Sequence, residues 1–146
     1  MNDYIVKKQI AINAQPSEVW DALTNPEKTK KYFFHCEVFS SWQPGEPITF
    51  KGKLFLIKNI EMTGTILNIE PGKFLQYTIR NQSDENPANF STVTDTLEYA
   101  EGKTILSVTD DVGAADGAKD RYEKSLKGWD KVLSGLKELV EEKETV

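Results

Sequence analysis

Apolar residues recur with two different periods along this chain, and the changes of period divide it into segments. Residues Ile5 to Ala14 alternate, with Ile10, Ile12 and Ala14 on one face, which predicts a first strand. Pro16 suits the first turn of a helix, and Glu18 sits near its positive end. This short helix, SEVWDALT, turns Val19, Trp20 and Leu23 to one side. Asn25-Pro26 then reads as a break and restart, asparagine capping and proline opening a second short helix that runs to about Phe33. From Cys36 to Asp111 the period is two. The segments CEVFSSW, PITFKGKLF, MTGTILNIE, KFLQYTIR, FSTVTDTLEYA and KTILSVTDD are predicted strands, separated by turn pairs such as Pro44-Gly45, Pro71-Gly72 and Glu101-Gly102. Connections this short predict an antiparallel meander. The polar loop NQSDENPAN, 81–89, is expected to form a mobile edge.

After DDVGAADG the period lengthens again, and a helix is predicted from Ala118 to Glu142. With Trp129 at zero on a wheel of 100° per residue, Tyr122, Leu126, Leu133, Leu136 and Val140 fall within about 60°, and Val132 and Leu139 widen the arc. Gly128 and Gly135 sit at the border of this stripe, on the Val132 side. A glycine inside a helix costs roughly 1 kcal/mol relative to alanine. Two of them on one line suggest that a neighbouring backbone or a bulky aromatic comes very close there; simple tolerance is the plainer alternative. About 25 residues at 1.5 Å each give roughly 37 Å, similar to the width of six or seven strands about 4.8 Å apart. One long helix can therefore lie across the concave face of one curved sheet. A coiled coil is the rival reading, but the run is under three heptads and the stripe is wider than a two-position seam.

Composition narrows the function classes. The chain has 146 residues, which suits a single domain over 1–146, with 38% apolar and 28% charged residues. The net charge is −5, and the densest basic run, KTKK at 28–31, reads as a solvated helix face, so no nucleic-acid partner is expected. No apolar run reaches the length of a membrane span, and no secretory signal is expected at the N-terminus. Cys36 is the sole cysteine, so no intramolecular disulfide forms and a reducing, cytoplasmic setting is expected.

The sequence offers little catalytic chemistry. His35 is the only histidine, and Cys36 beside it points to the opposite face if both lie on a strand, which argues against a Cys-His pair. No metal-ligand spacing, phosphate-cradling glycine loop or dinucleotide fingerprint is present, so no metal or cofactor is expected. DDVGAADGAKDRYE resembles a calcium loop only superficially, since Val112 and Ala114 stand where acids are needed.

Longer stretches carry a resemblance. EVWDALTNPEKTKKYF, SSWQPGEPITFKG, GTILNIEPGKFLQYTI, LEYAEGKTILSVTDD and GWDKVLSGLKELVE are similar to the SRPBCC superfamily, and specifically to its branch named after the activator of the heat-shock-protein-90 ATPase. The resemblance covers nearly the whole chain and implies an α+β fold of START-like, helix-grip type: a curved antiparallel sheet of six to seven strands around a long C-terminal helix, with two short helices between strands 1 and 2. It also implies a deep apolar cavity between sheet and helix. Superfamily members include lipid and small-molecule binders, cyclases, hydrolases and a chaperone activator, and fold alone does not choose among them. KLFLIKNIEM, 53–62, departs from the family's charged, glycine-rich stretch and marks a difference expected at the cavity mouth.

The cavity implied in this way has an expected lining of Trp20, Phe33, Phe39, Trp42, Phe50, Tyr77, Leu97, Leu106, Trp129 and Leu133; the same residues would equally fill a solid core. With Glu101-Gly102 as a two-residue turn, Leu97 faces Leu106, Asp95 faces Val108 and Val93 faces Asp110, which puts Asp95 and Asp110 diagonally on one face. If that face is concave, two carboxylates enter the cavity with raised pKa values; if not, they are solvated. Ser125 lies in the apolar arc of the last helix, and offers a hydroxyl to a ligand or to a carbonyl one turn earlier. The leading expectation is a monomer or weak dimer that binds a hydrophobic small molecule or lipid. The alternatives are a chaperone partner, docked through Lys28, Lys30 and Lys31, and a cyclase- or hydrolase-like enzyme using Asp95, Asp110 and His35. The chaperone alternative is weakened because the family's best-known member has two domains.

Overall fold

The structure, a computed structural model, describes residues 4–54, 58–82, 86 and 89–142. Among them the chain forms β1 (Ile5–Ile12), α1 (Pro16–Thr24), α2 (Pro26–Tyr32), β2 (Cys36–Ser40), β3 (Pro47–Leu54), β4 (Lys58–Glu70), β5 (Phe74–Asn81), β6 (Ser91–Ala100), β7 (Lys103–Asp111) and α3 (Ala118–Glu142). The strands make one curved, unclosed antiparallel sheet in the order β1-β7-β6-β5-β4-β3-β2. Strands β2 to β7 are a meander, and β1 closes onto the far side of β7 with Ile5 opposite Asp111. This is the helix-grip architecture expected from the sequence, with two short helices between β1 and β2. A register shift between Ile66 and Asn68 on β4 marks a bulge, which bends the sheet.

Local chemistry explains the junctions. Asn25 closes one helix and opens the next: its N–H donates to Asp21 O at 2.8 Å, and its side chain accepts from Glu27 N–H at 3.0 Å. Helix α2 ends at Tyr32, and its buried Thr29 ties it to the sheet by accepting from Val38 N–H at 3.1 Å. Phe34 and His35 then take positive φ values of 51° and 60°. Two consecutive left-handed residues cost roughly 1–2 kcal/mol each, and this turn sets which side chains of β2 point inward. Glu101 and Gly102 also have positive φ, as a two-residue hairpin turn requires, and the register has Leu97 opposite Leu106, Asp95 opposite Val108 and Val93 opposite Asp110.

The wide stripe of α3 is spent within the chain. Val132, Leu133, Leu136 and Val140 are buried in the main core with Ile12, Leu106 and Val108. Burying such a side chain is worth about 1.5–3 kcal/mol, enough to dock the C-terminal half of the helix without a coiled-coil partner. Polar ties fix the same half: Lys137 Nζ donates to Ala11 O at 2.8 Å, and Glu141 Oε2 accepts from Asn13 N–H at 2.8 Å. The two glycines face aromatics. A Cβ on Gly135 would lie 2.9 Å from Tyr32 Cβ, and one on Gly128 would lie 3.3 Å from Phe34 Cζ. Toward its N-terminus the helix is different, for none of residues 119–131 is fully buried. The space beneath that half is the candidate site.

Candidate functional site

Two spaces lie between the sheet and α3. The smaller, about 20 Å³, is lined by Phe33, Trp42, Phe50, Tyr77, Asp95, Leu106, Trp129 and Leu133 among others. That is room for a single water. The larger, about 340 Å³, is lined by the apolar residues Phe33, Phe34, Met62, Tyr77, Ile79, Val93, Trp129 and Val132, and by polar residues that include Arg80, Asp110, Arg121, Lys124 and Ser125. Phe33, Tyr77, Trp129 and Val132 line both and so form the partition between them. The partition is held by ring packing: Phe33 stacks on Phe50 at 4.7 Å between centroids and meets Trp129 edge-on at 6.1 Å. Phe34, 42% exposed, lies beside Gly128 and marks the open side of the larger space.

Asp110 sits at the end of β7 with only 6% of its surface exposed. Its Oδ2 accepts from Ser125 Oγ–H at 2.6 Å and from Trp129 Nε1–H at 2.9 Å. Its Oδ1 is buried and has no hydrogen-bond partner among the described residues. Asp95, two residues off in register on β6, is 3% exposed and lines the smaller space. Its Oδ1 also has no partner among the described residues. Burial first, and then the Asp110 charge, push the Asp95 carboxyl up to about 7. Burial, with the charges of both carboxylates behind it, likewise raises the Tyr77 phenol.

Phe33, Trp42, Phe50, Tyr77, Leu106, Trp129, Leu133 and Asp95 surround the smaller space, while Asp110 and Ser125 line the larger. Ser125 bonds the Asp110 carboxylate and not a carbonyl one turn earlier. Three expectations are corrected. Phe39 is 48% exposed, on the outer face of β2, because Cys36 and Val38 take the inward positions of that strand. Trp20 packs against the rim of the core and lines neither space, since α1 buries Val19 and Ala22 instead. Leu97 is buried in the core but reaches neither space. The three candidate catalytic groups do not converge. Asp95 and Asp110 line different spaces, and His35 lies exposed in the turn before β2, not on the strand, while Cys36 is buried.

Sequence reasoning missed Phe34, Met62, Ile79 and Arg121. A signal for Arg121 was present: residues 121, 125, 128 and 132 form one ridge of α3, and the wheel had already placed Gly128 and Val132 on that border. Of the segment 53–62 singled out at the mouth, Met62 lines the larger space and residues 55–57 lie outside the described residues, as do 83–85 and 87–88 of the loop 81–89. Among the described residues no group of three or more His, Cys, Asp or Glu is placed to hold a metal ion, and no helix is long and apolar enough to cross a membrane.

Comparison with known proteins adds the following. The family model described as Activator of Hsp90 ATPase homolog 1-like protein matches residues 13–141. Among solved structures, the chain is similar to ChR145 from Cytophaga hutchinsonii, with 32% identity, 97% of each chain covered and a TM-score of 0.76. It is also similar to NE0264 from Nitrosomonas europaea, at 18% identity over 98% of each chain with a TM-score of 0.81. A third similarity is to the Aha1 dimer from Colwellia psychrerythraea, at 18% identity over 93% of this chain and 95% of that one, with a TM-score of 0.70. The last two speak to fold alone. No curated protein sequence matches the chain significantly.

Proposed function

This chain belongs to the Activator of Hsp90 ATPase homolog 1-like family, and from that premise we propose that it binds a hydrophobic small molecule in the larger space between sheet and α3. In this reading residues 1–146 work as one domain in the cytoplasm. The observation that carries the proposal is a cavity of about 340 Å³ whose wall is aromatic and aliphatic over most of its extent, with polar residues of β5, β7 and α3 also lining it. Small-molecule sites commonly measure about 300–1,000 Å³ and pair an apolar lining with a few orienting polar groups. At the low end of that range the cavity suits a compact ligand better than a two-chain lipid.

Docking on a chaperone draws on the basic run Lys28, Lys30 and Lys31. Lys28 is paired with Asp21, which weakens that patch as a docking feature, so the cavity reading is preferred. The experiment is a screen of compact aromatic and aliphatic probes by ¹H–¹⁵N NMR, with the Trp129 indole N–H as reporter and those of Trp20 and Trp42 as references. Saturable shifts centred on Trp129 are expected. Absence of any shift with every probe at about millimolar concentration, the affinity of a weak fragment, would remove the proposal.

A further inference from the structure

We propose that the ligand of the larger cavity is an amphiphile whose polar group is an anion, such as a carboxylate, held where β5 and β7 end and β6 begins. The inference rests on the small-molecule reading above and adds the charge that this cavity selects. The sheet register orders the lining along one axis. Tyr77, Val93 and Asp110 share a row across β5, β6 and β7. Ile79 and Ser91 form the next row outward, and Asn81, paired with Met62, stands in the row after it. Asn81, Asn89 and Ser91 all line the cavity, so its sheet side turns polar at the outer end. The N-terminal part of α3 overlies the same end. Ser125 bonds Asp110, and Arg121, one turn earlier, donates to Val112 O at 2.9 Å, two residues beyond Asp110. Gly128, Trp129 and Val132 follow inward along the helix.

Charge is uneven over this lining. Arg80, Arg121 and Lys124 stand against Asp110 alone, in a protein whose net charge is −5. Asp110 lies in the inner row, and the two hydrogen bonds it accepts from Ser125 and Trp129 offset its charge within the wall. Arg121 is held by the backbone carbonyls of Asp116 and Val112 and not by an acid. Lys124 pairs with Asp120 at 3.0 Å, but both side chains are largely exposed, and such pairs are weak. The excess survives without Arg80, which alternates with the inward residues Tyr77 and Ile79 on β5, since Arg121 and Lys124 still outnumber Asp110.

Attraction of this kind acts over several ångströms, so the anion need not touch any buried atom. A cationic ligand is repelled by the same lining, and a neutral one gains nothing from it. The apolar body reaches inward to Trp129 and Val132, while the charged group stays beside the exposed Lys124 and keeps part of its water.

The test is a series that shares one apolar body and differs in charge, titrated into the full chain by the same NMR experiment: 4-butylbenzoate, 4-butylbenzamide and 4-butylbenzylamine. At about 20 mM salt the benzoate is expected to bind about tenfold tighter than the amide, and the benzylamine weakest of the three. At about 500 mM salt, where screening shortens to a few ångströms, the benzoate-to-amide ratio is expected to fall below about threefold. Lys124→Glu reverses one exposed charge and is expected to lower that ratio about threefold to fivefold at low salt, with the amide affinity unchanged. Lys124→Gln is expected to give a smaller drop in the same direction. A benzoate no tighter than the amide, or a tighter benzylamine, overturns the anionic assignment and leaves the cavity reading standing. So does a preference that neither salt nor Lys124→Glu reduces. If none of the three binds and the wider screen also finds nothing, the cavity reading falls and this inference falls with it.

Discussion

Replacing Asp95 with asparagine should stabilise this protein at neutral and mildly alkaline pH and leave it nearly unchanged in acid. Asp95 lies on β6 inside the core, 3% exposed, with no hydrogen bond to its Oδ1 among the described residues. Its carboxyl is raised from 3.8 to about 7, by burial first and by the Asp110 charge second. A folded-state value above the unfolded one means that the native protein holds the proton longer. The associated stability is fully present below about pH 4 and is lost as pH rises through about 7. Three units at 1.36 kcal/mol each set a ceiling of about 4 kcal/mol. The water-sized space beside Asp95 softens the penalty by admitting solvent, so a gain of about 2 kcal/mol at about pH 8 is expected for Asp95→Asn. Denaturant unfolding of both proteins, followed by tryptophan fluorescence from about pH 5 to about pH 8, measures it. The difference between the proteins is the relevant quantity. Glu141, held below its usual value by the Asn13 N–H and then by Lys137, contributes to both with the opposite sign: its stability is present above the unfolded value and lost as pH falls. A difference that stays constant across this range, or a variant less stable than wild type at about pH 8, would refute the reasoning.

The two helix glycines should respond in opposite directions. Gly128→Ala meets only the mobile end of Phe34, so the helix-propensity gain of up to about 1 kcal/mol prevails, whereas Gly135→Ala drives a methyl against Tyr32 Cβ and should cost about 1–2 kcal/mol; midpoints of denaturant unfolding separate them. Ser125→Ala removes one of two donors from the buried Asp110 carboxylate and should cost about 1.5–3 kcal/mol by the same assay, with the Trp129 indole resonance shifted as its remaining bond adjusts. Cys36, fully buried with its thiol pushed up to about 11, should react with a disulfide reagent at least about a hundredfold more slowly than free cysteine until the protein is denatured; fast native reaction would contradict its placement.

Much of this molecule could be read along the chain, because the relevant signals are local. Period two gave the strands, Pro16 and Asn25-Pro26 gave the helix starts, and the Glu101-Gly102 turn fixed the register that sets Asp95 and Asp110 on one face. The wheel of α3 placed both glycines at the Val132 border of the stripe and Ser125 within its apolar arc. Other features are set by contacts between distant segments. CEVFSSW alternates equally well with Phe39 inward or outward, and the choice falls to the left-handed turn at Phe34 and His35, which delivers Cys36 and Val38 to the core. No periodicity states how far a helix stands from a sheet, so the half-buried run from 119 to 131 and the cavity beneath it follow only from packing. The same packing sets Phe33, Tyr77, Trp129 and Val132 at the border of two spaces, and leaves Asp110 bonded by Ser125 and Trp129 and Asp95 lining a space for one water. Sequence determined the elements and their register, because those depend on backbone geometry and on neighbours a few residues away. Tertiary structure decided which face is inside and where space remains, because both depend on how side chains far apart in the chain fill a common volume.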